Sequence, residues 1–357
     1  MSRFSCVASP FSHSRTVFFK VGARQKRAKR VVPVFLPFSG CPMQCVFCAQ
    51  DKQTGSSAPA PIPAILEDAE ARLSVMPSCS ESGSRELAFY GGTFTALPAE
   101  KRSVCLDFLR RMQDADLITH ARCSTRPDAL SPAILAELKQ YDITLIELGI
   151  QSFDSEALRT SRRGYDGELA LDACRRIVDA GFELGIQLLP GMPGTSPDIF
   201  LQDVETALSL SPSCLRFYPC LVPDGTVLAR WFREGRYQPW SLDDTVRTLG
   251  DALHRAWKKD VPVIRLAVAP EPLFDAAVLA GPRHPALGAL IQAEALLLSA
   301  REAVFELGLP PQALLLPQRC QGYIYGDRGA LKTRWADLGL GPERLYFMDM
   351  DVAELRG

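Results

Sequence analysis

The stretch GCPMQCVFC, residues 40–48, places Cys41, Cys45 and Cys48 at C-x3-C-x2-C spacing. Thiolates are ligands for soft metals and iron–sulfur clusters. Three of them on one loop can hold three irons of a cubane cluster and leave the fourth iron open. A structural zinc site normally has four protein ligands, and the histidines of the chain lie elsewhere: His13, His120, His254 and His284. A zinc site that lacks one ligand and a chance grouping of thiols are the alternatives.

This cysteine spacing, with the aromatic Phe47 before the last cysteine, resembles the signature of the radical S-adenosylmethionine (SAM) superfamily. The resemblance implies a 4Fe–4S cluster held by Cys41, Cys45 and Cys48, with SAM bound at the open iron. It also implies an electron donor such as flavodoxin or ferredoxin, and cleavage of SAM to a 5′-deoxyadenosyl radical that takes a hydrogen atom from the substrate. Phe47 is expected near the adenine of SAM or, alternatively, in core packing beside the loop.

The composition of the 357 residues is that of a soluble globular protein, with 47% hydrophobic and 23% charged residues. The net charge of −1 does not point to nucleic-acid binding by the whole molecule. Eleven cysteines are too sparse for a disulfide scaffold and indicate a reducing compartment, which we expect to be the cytoplasm. No apolar run reaches the roughly 18–20 residues of a membrane span, so no membrane contact is expected.

Short apolar strands alternate with amphipathic helices between residues 31 and 225. The predicted strands are residues 31–36, 86–90, 118–123, 144–150, 183–188 and 215–218. The alternation predicts an α/β fold, and the resemblance implies a partial TIM-type barrel of six parallel strands, with the active site at their carboxyl ends. We expect residues 226–357 to form a smaller mixed C-terminal extension that completes the barrel and the substrate side, with a further strand at 261–267.

Residues 1–30 differ from the rest, since they carry eight Lys or Arg residues and no Asp or Glu. We interpret this segment as a disordered, solvated tail. A basic arm that contacts RNA phosphates is the second interpretation, and a transit peptide, rich in Arg and Ser and poor in acids, is the third.

Several stretches together resemble the radical-SAM domain of the catalytic subunit of Elongator, the tRNA-modifying complex. They are residues 125–128 (TRPD), 147–152 (ELGIQS), 162–165 (RRGY), 189–194 (LPGMPG) and 217–219 (FYP). Each stretch is weak alone, and their order behind the cysteine motif makes the series specific. The coproporphyrinogen-oxidase-like radical enzymes share part of the pattern. The resemblance therefore implies RNA modification, of the tRNA wobble-uridine type, as the activity.

The resemblance also carries over residues that would contact SAM. Gly91 and Gly92, followed by Thr93, end a predicted strand, and two glycines there allow a close backbone approach to a ligand; an ordinary turn is the alternative. Gln151 and Arg163 stand where the family contacts the ribose and carboxylate of SAM. A polar residue on a solvated loop and a surface ion pair are the alternatives for these two residues.

Two positions depart from the family pattern. Ser124 stands where both branches usually have a glutamate for SAM recognition, and Gln187 stands where the oxidase branch has an acidic residue near SAM.

Beyond the barrel, we expect His284 to act as an acid or base, with a local helix-cap role as the alternative. Arg265 is expected to meet a substrate phosphate or carboxylate, with a surface role as the alternative.

The residues after 225 contain no Gly-rich loop of the kind that binds a pyrophosphate. We therefore expect the acetyltransferase domain of the Elongator subunit to be missing from this chain. Two other functions compete with RNA modification: a radical SAM enzyme that acts on a small molecule such as a tetrapyrrole, and a non-enzymatic iron–sulfur or zinc scaffold.

Overall fold

The computed structural model describes residues 15–23, 30–41, 45–49, 60–268 and 272–357. Its strands are β1 (Thr16–Lys20), β2 (Arg30–Leu36), β3 (Arg85–Gly91), β4 (His120–Thr125), β5 (Ile143–Gln151), β6 (Glu183–Leu188), β7 (Cys214–Phe217), β8 (Val222–Pro223), β9 (Val263–Arg265), β10 (Val278–Ala280), β11 (Ala313–Pro317), β12 (Leu345–Met348) and β13 (Val352–Arg356). From β2 to β7 each parallel connection contains at least one helix, as such connections require.

The helices of the described residues begin with α1 (Ile62–Ser74), which follows β2. They are, in order, α1, α2 (Cys79–Ser82), α3 (Ala99–Asp114), α4 (Pro132–Gln140), α5 (Ser155–Thr160), α6 (Gly167–Asp179), α7 (Pro197–Ser209), α8 (Val227–Arg233), α9 (Leu242–Lys258), α10 (Pro272–Ala277), α11 (Leu287–Leu307) and α12 (Lys332–Asp337).

Side-chain caps explain where many of these helices begin. Helices α4 to α9 each start after a residue whose oxygen accepts the backbone N–H three positions later. The capping residues are Ser131, Asp154, Asp166, Ser196, Thr226 and Ser241. Three of these caps, Ser131, Asp154 and Ser196, end the loops that follow β4, β5 and β6.

The central sheet has seven strands in the order β2-β3-β4-β5-β6-β7-β9, and every neighbouring pair is parallel. The sheet curls into a half barrel, so the α/β partial-barrel prediction is confirmed. The number of strands is seven rather than six. The seventh, β9, comes from the region after residue 225 and pairs with β7, whose far edge would otherwise lack a partner.

The two faces of this sheet differ in polarity, because successive residues of a strand point to opposite sides. The face that the helices cover is apolar and buried: Leu87, Phe89, Ile146, Leu148, Ile186, Leu188, Leu215 and Phe217. The concave face carries polar side chains at the alternate positions: Glu86, Tyr90, Arg122, Glu147, Gln187 and Arg216. The interior of the half barrel is therefore charged rather than filled with aliphatic residues.

A second, four-stranded sheet of order β1-β13-β11-β12 lies in the C-terminal part of the molecule. Strand β1 pairs antiparallel with β13, from Thr16 opposite Arg356 to Lys20 opposite Val352. The prediction of a disordered tail over residues 1–30 is wrong for these residues, because Val17 and Phe19 pack against the core beside α11. Residues 1–14 and 24–29 of that segment lie outside the described residues.

Candidate active site

The cysteine loop (residues 40–48) and the glycine turn (residues 91–93) are held together at the carboxyl ends of β2 and β3. The N–H of Gly92 donates to the carbonyl of Leu36 at 2.8 Å, and the N–H of Thr93 donates to the carbonyl of Ser39 at 2.8 Å. A Cβ on Gly40, whose φ is +77°, would lie 2.2 Å from the carbonyl oxygen of Thr93, and one on Gly92 would lie 2.0 Å from that of Ser39. The two turns therefore touch backbone to backbone.

The predicted close approach at the glycine pair is thus made, but to the protein's own backbone. A Cβ on Gly91 would likewise lie 2.7 Å from the carbonyl oxygen of Leu36. These glycines fix the position of the cysteine loop relative to β3. A direct contact of Gly91, Gly92 or Thr93 with SAM stays a prediction.

Each cysteine of the motif has a defined setting. The Sγ of Cys41 lies 3.3 Å from the Oγ1 of the fully buried Thr93. Cys45 is buried, Cys41 and Cys48 are half-buried, and the N–H of Cys48 donates to the carbonyl of Cys45 at 3.1 Å. The loop is further held by Val46, whose N–H donates to the carbonyl of Ser161 at 3.3 Å. All three thiols therefore lie at the carboxyl end of the sheet.

The donor set fits an iron–sulfur cluster. Three thiols without a fourth protein ligand suit a cubane cluster whose last iron takes another ligand. In the part of the chain that the structure describes, no three His, Cys, Asp or Glu side chains lie close enough together to hold a metal ion, and residues 42–44 between Cys41 and Cys45 are outside that part. Metal binding itself draws ligands into one coordination sphere. The fit of this site to an iron–sulfur cluster therefore rests on the chemistry of the three thiols and on the position of their loop.

Arg163 lies against Cys45. Its Nη1 donates to the Sγ of Cys45 at 3.0 Å, its Nη2 to the carbonyl of Gly149 at 2.5 Å, and its Nε to the hydroxyl of Tyr165 at 3.0 Å. Arg163 is only 5% exposed. Burial alone would lower the pKa of Arg163, but Tyr165 and Cys45 outweigh it and the pKa is raised, so the guanidinium stays charged. The surface alternative for Arg163 is wrong.

A second arginine, the residue that directly follows β4, approaches the same sulfur. The Nη1 of Arg126 lies 3.9 Å from the Sγ of Cys45, and its Nε and Nη2 donate to the two carboxylate oxygens of Asp128 at 2.9 and 2.8 Å. Its Nη2 also donates to the carbonyl of Arg163. Both guanidinium groups lie over the ring of Tyr165, at 5.3 and 5.2 Å from the centroid. Cys45 is therefore flanked by two cations.

Gln151 ends β5 in a left-handed conformation, with φ of +75°, and it is buried. The solvated-loop alternative for this residue is therefore wrong. The Nε2 of Gln187 on β6 donates to the Oε1 of Gln151 at 3.5 Å. Two residues that were predicted to contact SAM therefore contact each other. Ser124 is half-buried on β4 and stands in register with Glu147 on β5. Contacts of Ser124, Gln151 and Gln187 with SAM stay predictions.

Asp203 on α7, which the sequence did not single out, holds the loop after Gln151. Its carboxylate accepts the hydroxyl of Ser152 at 2.6 Å and the N–H of Phe153 at 2.7 Å. Asp203 is 3% exposed, and this burial raises its pKa to about 6, although the two hydrogen bonds act in the opposite direction. A non-glycine residue with positive φ costs energy, and this anchor helps to keep Gln151 in place.

The charged residues of the concave face form one network. The carboxylate of Glu147 accepts hydrogen bonds from Tyr90 at 3.0 Å, from Arg122 at 2.9 Å and from the Nη2 of Arg216 at 3.0 Å. The Nε of Arg216 forms an ion pair with the same carboxylate at 2.5 Å. Arg122 also pairs with Glu86. Burial and then Glu147 raise the pKa of Tyr90, so the phenol stays protonated and donates. Sequence patterning gave no sign of this network, because each member reads as an ordinary polar position of a strand.

The two residues expected on the substrate side have different settings. Arg265 on β9 is exposed and stands in register with Arg216 of the concave face. His284 accepts the N–H of Ala286 through its Nδ1 at 3.1 Å, and its Nε2 lies 4.0 Å from the carboxylate of Asp327. His284 therefore makes a local hydrogen bond just ahead of α11, although the N-cap residue of that helix is Ala286. The acid–base role of His284 stays a prediction.

Phe47 is half-buried and packs against the hydrophobic core, which is the packing role expected as the alternative to a place near adenine. The ten cysteines of the described residues form no disulfide. Among them Cys174 and Cys214 lie in the core, where burial raises the pKa of each thiol to about 12. They are therefore inert positions rather than candidates for metal ligation.

Comparison with known proteins agrees with this geometry. The Radical SAM superfamily model matches residues 35–207, which contain the cysteine loop and strands β3 to β6. The Radical_SAM C-terminal domain model matches residues 212–296. Members of this superfamily use a 4Fe–4S cluster and SAM.

Two relatives show which branch of the superfamily is similar. A tRNA uridine(34) acetyltransferase of Methanocaldococcus infernus is 29% identical over 187 residues, 47% of this chain and 35% of the relative. Elongator complex protein 3 of Mus musculus is 29% identical over 192 residues, 47% of this chain and 34% of the relative. The chain thus matches about a third of the length of these relatives.

The fold has a solved counterpart in the archaeal Methanocaldococcus infernus Elp3 with an N-terminal deletion. Its TM-score is 0.55 at 20% sequence identity, and the match covers 74% of this chain and 62% of that one. None of the described helices has the length and apolar character that a membrane span requires. With its cysteine loop, its half barrel and both matching family models, the chain is an enzyme that belongs to the radical SAM superfamily and is related to Elongator complex protein 3.

Proposed function

We propose that the chain binds a 4Fe–4S cluster through Cys41, Cys45 and Cys48 and cleaves SAM reductively. The observation that carries the proposal is the cysteine loop, held backbone to backbone against the glycine turn at the carboxyl end of a parallel half barrel. Active sites of β/α barrels lie at this end. The two cations beside Cys45 add support, because a sulfur that ligates iron carries negative charge and these cations lie where they would compensate it.

In this proposal, the bound cluster supplies the electron for the cleavage of SAM, and a donor such as flavodoxin or ferredoxin supplies it to the cluster. The residues of the chain position the reactants and exclude water. We assign the polar contacts with SAM to Ser124, Gln151 and Gln187, which lie on the adjacent strands β4, β5 and β6. The tight backbone packing at Gly92 keeps the loop of the cysteines from moving away from these strand ends.

Anaerobic reconstitution with iron and sulfide tests this proposal. The wild-type chain should bind about four irons and, with SAM and a reductant, form 5′-deoxyadenosine. Alanine at Cys41, Cys45 or Cys48 should abolish iron binding, because each thiolate anchors one iron. Cys174→Ala is the matched control, since that thiol is fully buried in the core, and it should retain the iron. A full cluster in all three single variants contradicts the assignment.

We further propose that the substrate is RNA, of the tRNA wobble-uridine type. The name of one relative, the tRNA uridine(34) acetyltransferase, supports this substrate. So does the run of basic residues ahead of β2: Arg24, Lys26, Arg27 and Lys29. These four residues lie outside the described residues. Phosphates of RNA are bound mainly by such cations, with a strong dependence on salt.

Arg265 is the residue of the concave side that we assign to a phosphate of the substrate. It is exposed, and it forms no hydrogen bond or ion pair through its side chain among the described residues. The two carboxylates of the same face, Glu86 and Glu147, are already paired with Arg122 and Arg216. The charge of Arg265 is therefore left for a ligand. We propose His284 as a second substrate-side residue, acting as acid or base.

Binding of tRNA at several salt concentrations tests the substrate. Arg265→Gln should weaken binding by about 1.5–3 kcal/mol, as expected for a charged hydrogen bond, and reduce the salt slope by about 1. Lys101→Gln, an exposed residue of α3, is the control and should bind like wild type. Added tRNA should also stimulate formation of 5′-deoxyadenosine. If tRNA neither binds nor stimulates, a small-molecule substrate such as a tetrapyrrole replaces RNA, and porphyrinogens are then the compounds to assay.

A further inference from the structure

Arg163 is a buried cation without a carboxylate partner. The residue is 5% exposed, and its acceptors are the carbonyl of Gly149, the hydroxyl of Tyr165 and the sulfur of Cys45. No Asp or Glu among the described residues forms a salt bridge with it. A buried charge is costly unless an opposite charge compensates it. Of its three partners, only the sulfur of Cys45 becomes a full anion as a metal ligand.

Arg126 shows the contrast. It is equally buried, at 5% exposure, but it forms a bidentate ion pair with Asp128, so its own charge is balanced. Its remaining Nη1 still points toward Cys45, at 3.9 Å from the sulfur. The sulfur of Cys45 therefore has two donors. Arg163 is close and its charge is unbalanced, whereas Arg126 is more distant and its charge is balanced by Asp128.

We propose that Arg163, assisted by Arg126, is a positioning residue for the cluster ligand Cys45 that raises the reduction potential of the cluster. Hydrogen bonds to ligand sulfurs and nearby positive charge both favour the reduced, more negative cluster, so both raise its potential. Arg163 then makes the cluster easier to reduce, through its contact with Cys45. This inference rests on the proposed cluster and differs from the SAM-carboxylate contact that the family resemblance implies for Arg163.

The test compares the midpoint potential of the reconstituted cluster, followed by EPR during a redox titration, in wild type and Arg163→Gln. Glutamine removes the charge, and the midpoint potential should move to a more negative value. Arg163→Lys keeps the charge but loses the planar set of donors, so its potential should lie between the two. Arg159→Gln is the matched control: this arginine on α5 is exposed and pairs with Glu156 on the same helix, so the potential of this variant should equal that of wild type.

Iron and sulfide content of the wild-type chain is measured first, so that a failure of cluster binding is separated from a failure of this inference. Equal potentials in wild type, Arg163→Gln and Arg163→Lys, at equal iron content, overturn the inference. If Arg163→Gln binds no cluster, the comparison of Arg163→Lys with wild type decides: a more negative potential supports the inference, and an unchanged one overturns it. A loss of SAM affinity in Arg163→Gln with an unchanged potential would favour the SAM contact instead.

Discussion

Replacing Gly40 by alanine should detach the cysteine loop from the glycine turn. Gly40 has φ of +77°, and a Cβ there would lie 2.2 Å from the carbonyl oxygen of Thr93 and 2.9 Å from the backbone nitrogen of Leu97. The left-handed conformation costs an alanine about 1–2 kcal/mol. The overlap with fixed backbone atoms adds about 1–3 kcal/mol, as in other overpacked sites. The free energy of unfolding should therefore fall by roughly 2–5 kcal/mol.

Two other glycines separate these contributions. Gly235 has φ of +70° but no atom within 4 Å of its Cβ position, so Gly235→Ala should cost only the conformational part, about 1–2 kcal/mol. Gly92 has no positive φ, yet its Cβ would lie 2.0 Å from the carbonyl oxygen of Ser39. Gly92→Ala should therefore cost the overlap part, about 1–3 kcal/mol, and Gly40→Ala should cost about the sum.

Urea denaturation of the three variants measures the free energies, and iron content after reconstitution reports the state of the cysteine loop. Gly40→Ala and Gly92→Ala should both bind less iron, because the overlap moves the loop of the cysteines, whereas Gly235→Ala should bind as much as wild type. The reasoning is refuted if Gly40→Ala is no less stable than Gly235→Ala and binds a full complement of iron.

Two further predictions concern buried carboxylates. The pKa of Asp203 is raised to about 6 by burial, so its contribution to stability is present at low pH and is lost as the pH rises through 6. Asp203→Asn, which cannot ionise, should therefore gain roughly 3 kcal/mol relative to wild type between pH 4 and 7, measured by urea denaturation; a difference that does not change with pH contradicts this. Glu147→Ala should cost about 3–5 kcal/mol in the same assay, because Arg122 and Arg216 lose their shared counter-charge; a loss below about 1 kcal/mol would show that the network does not stabilise the fold.

The sequence alone determined the features that depend on neighbours along the chain. The spacing of the three cysteines is local, and so is the alternation of apolar strands with amphipathic helices that predicted the half barrel. Capping residues such as Ser241 act three positions along the chain, within reach of a sequence pattern. These local signals also placed Gln151 and Gln187 at strand ends, where the structure brings their side chains together.

Only the tertiary structure decided what depends on contacts between distant segments. A strand pattern of period two shows that Glu147 and Arg216 alternate with buried residues, but it cannot tell solvent from the inside of a barrel. The 3.0 Å contact of Arg163 with Cys45 joins residues 118 positions apart, and the pairing of Thr16 with Arg356 joins opposite ends of the chain. No pattern within one segment encodes such contacts, because the curl of the sheet and the packing of α11 create them.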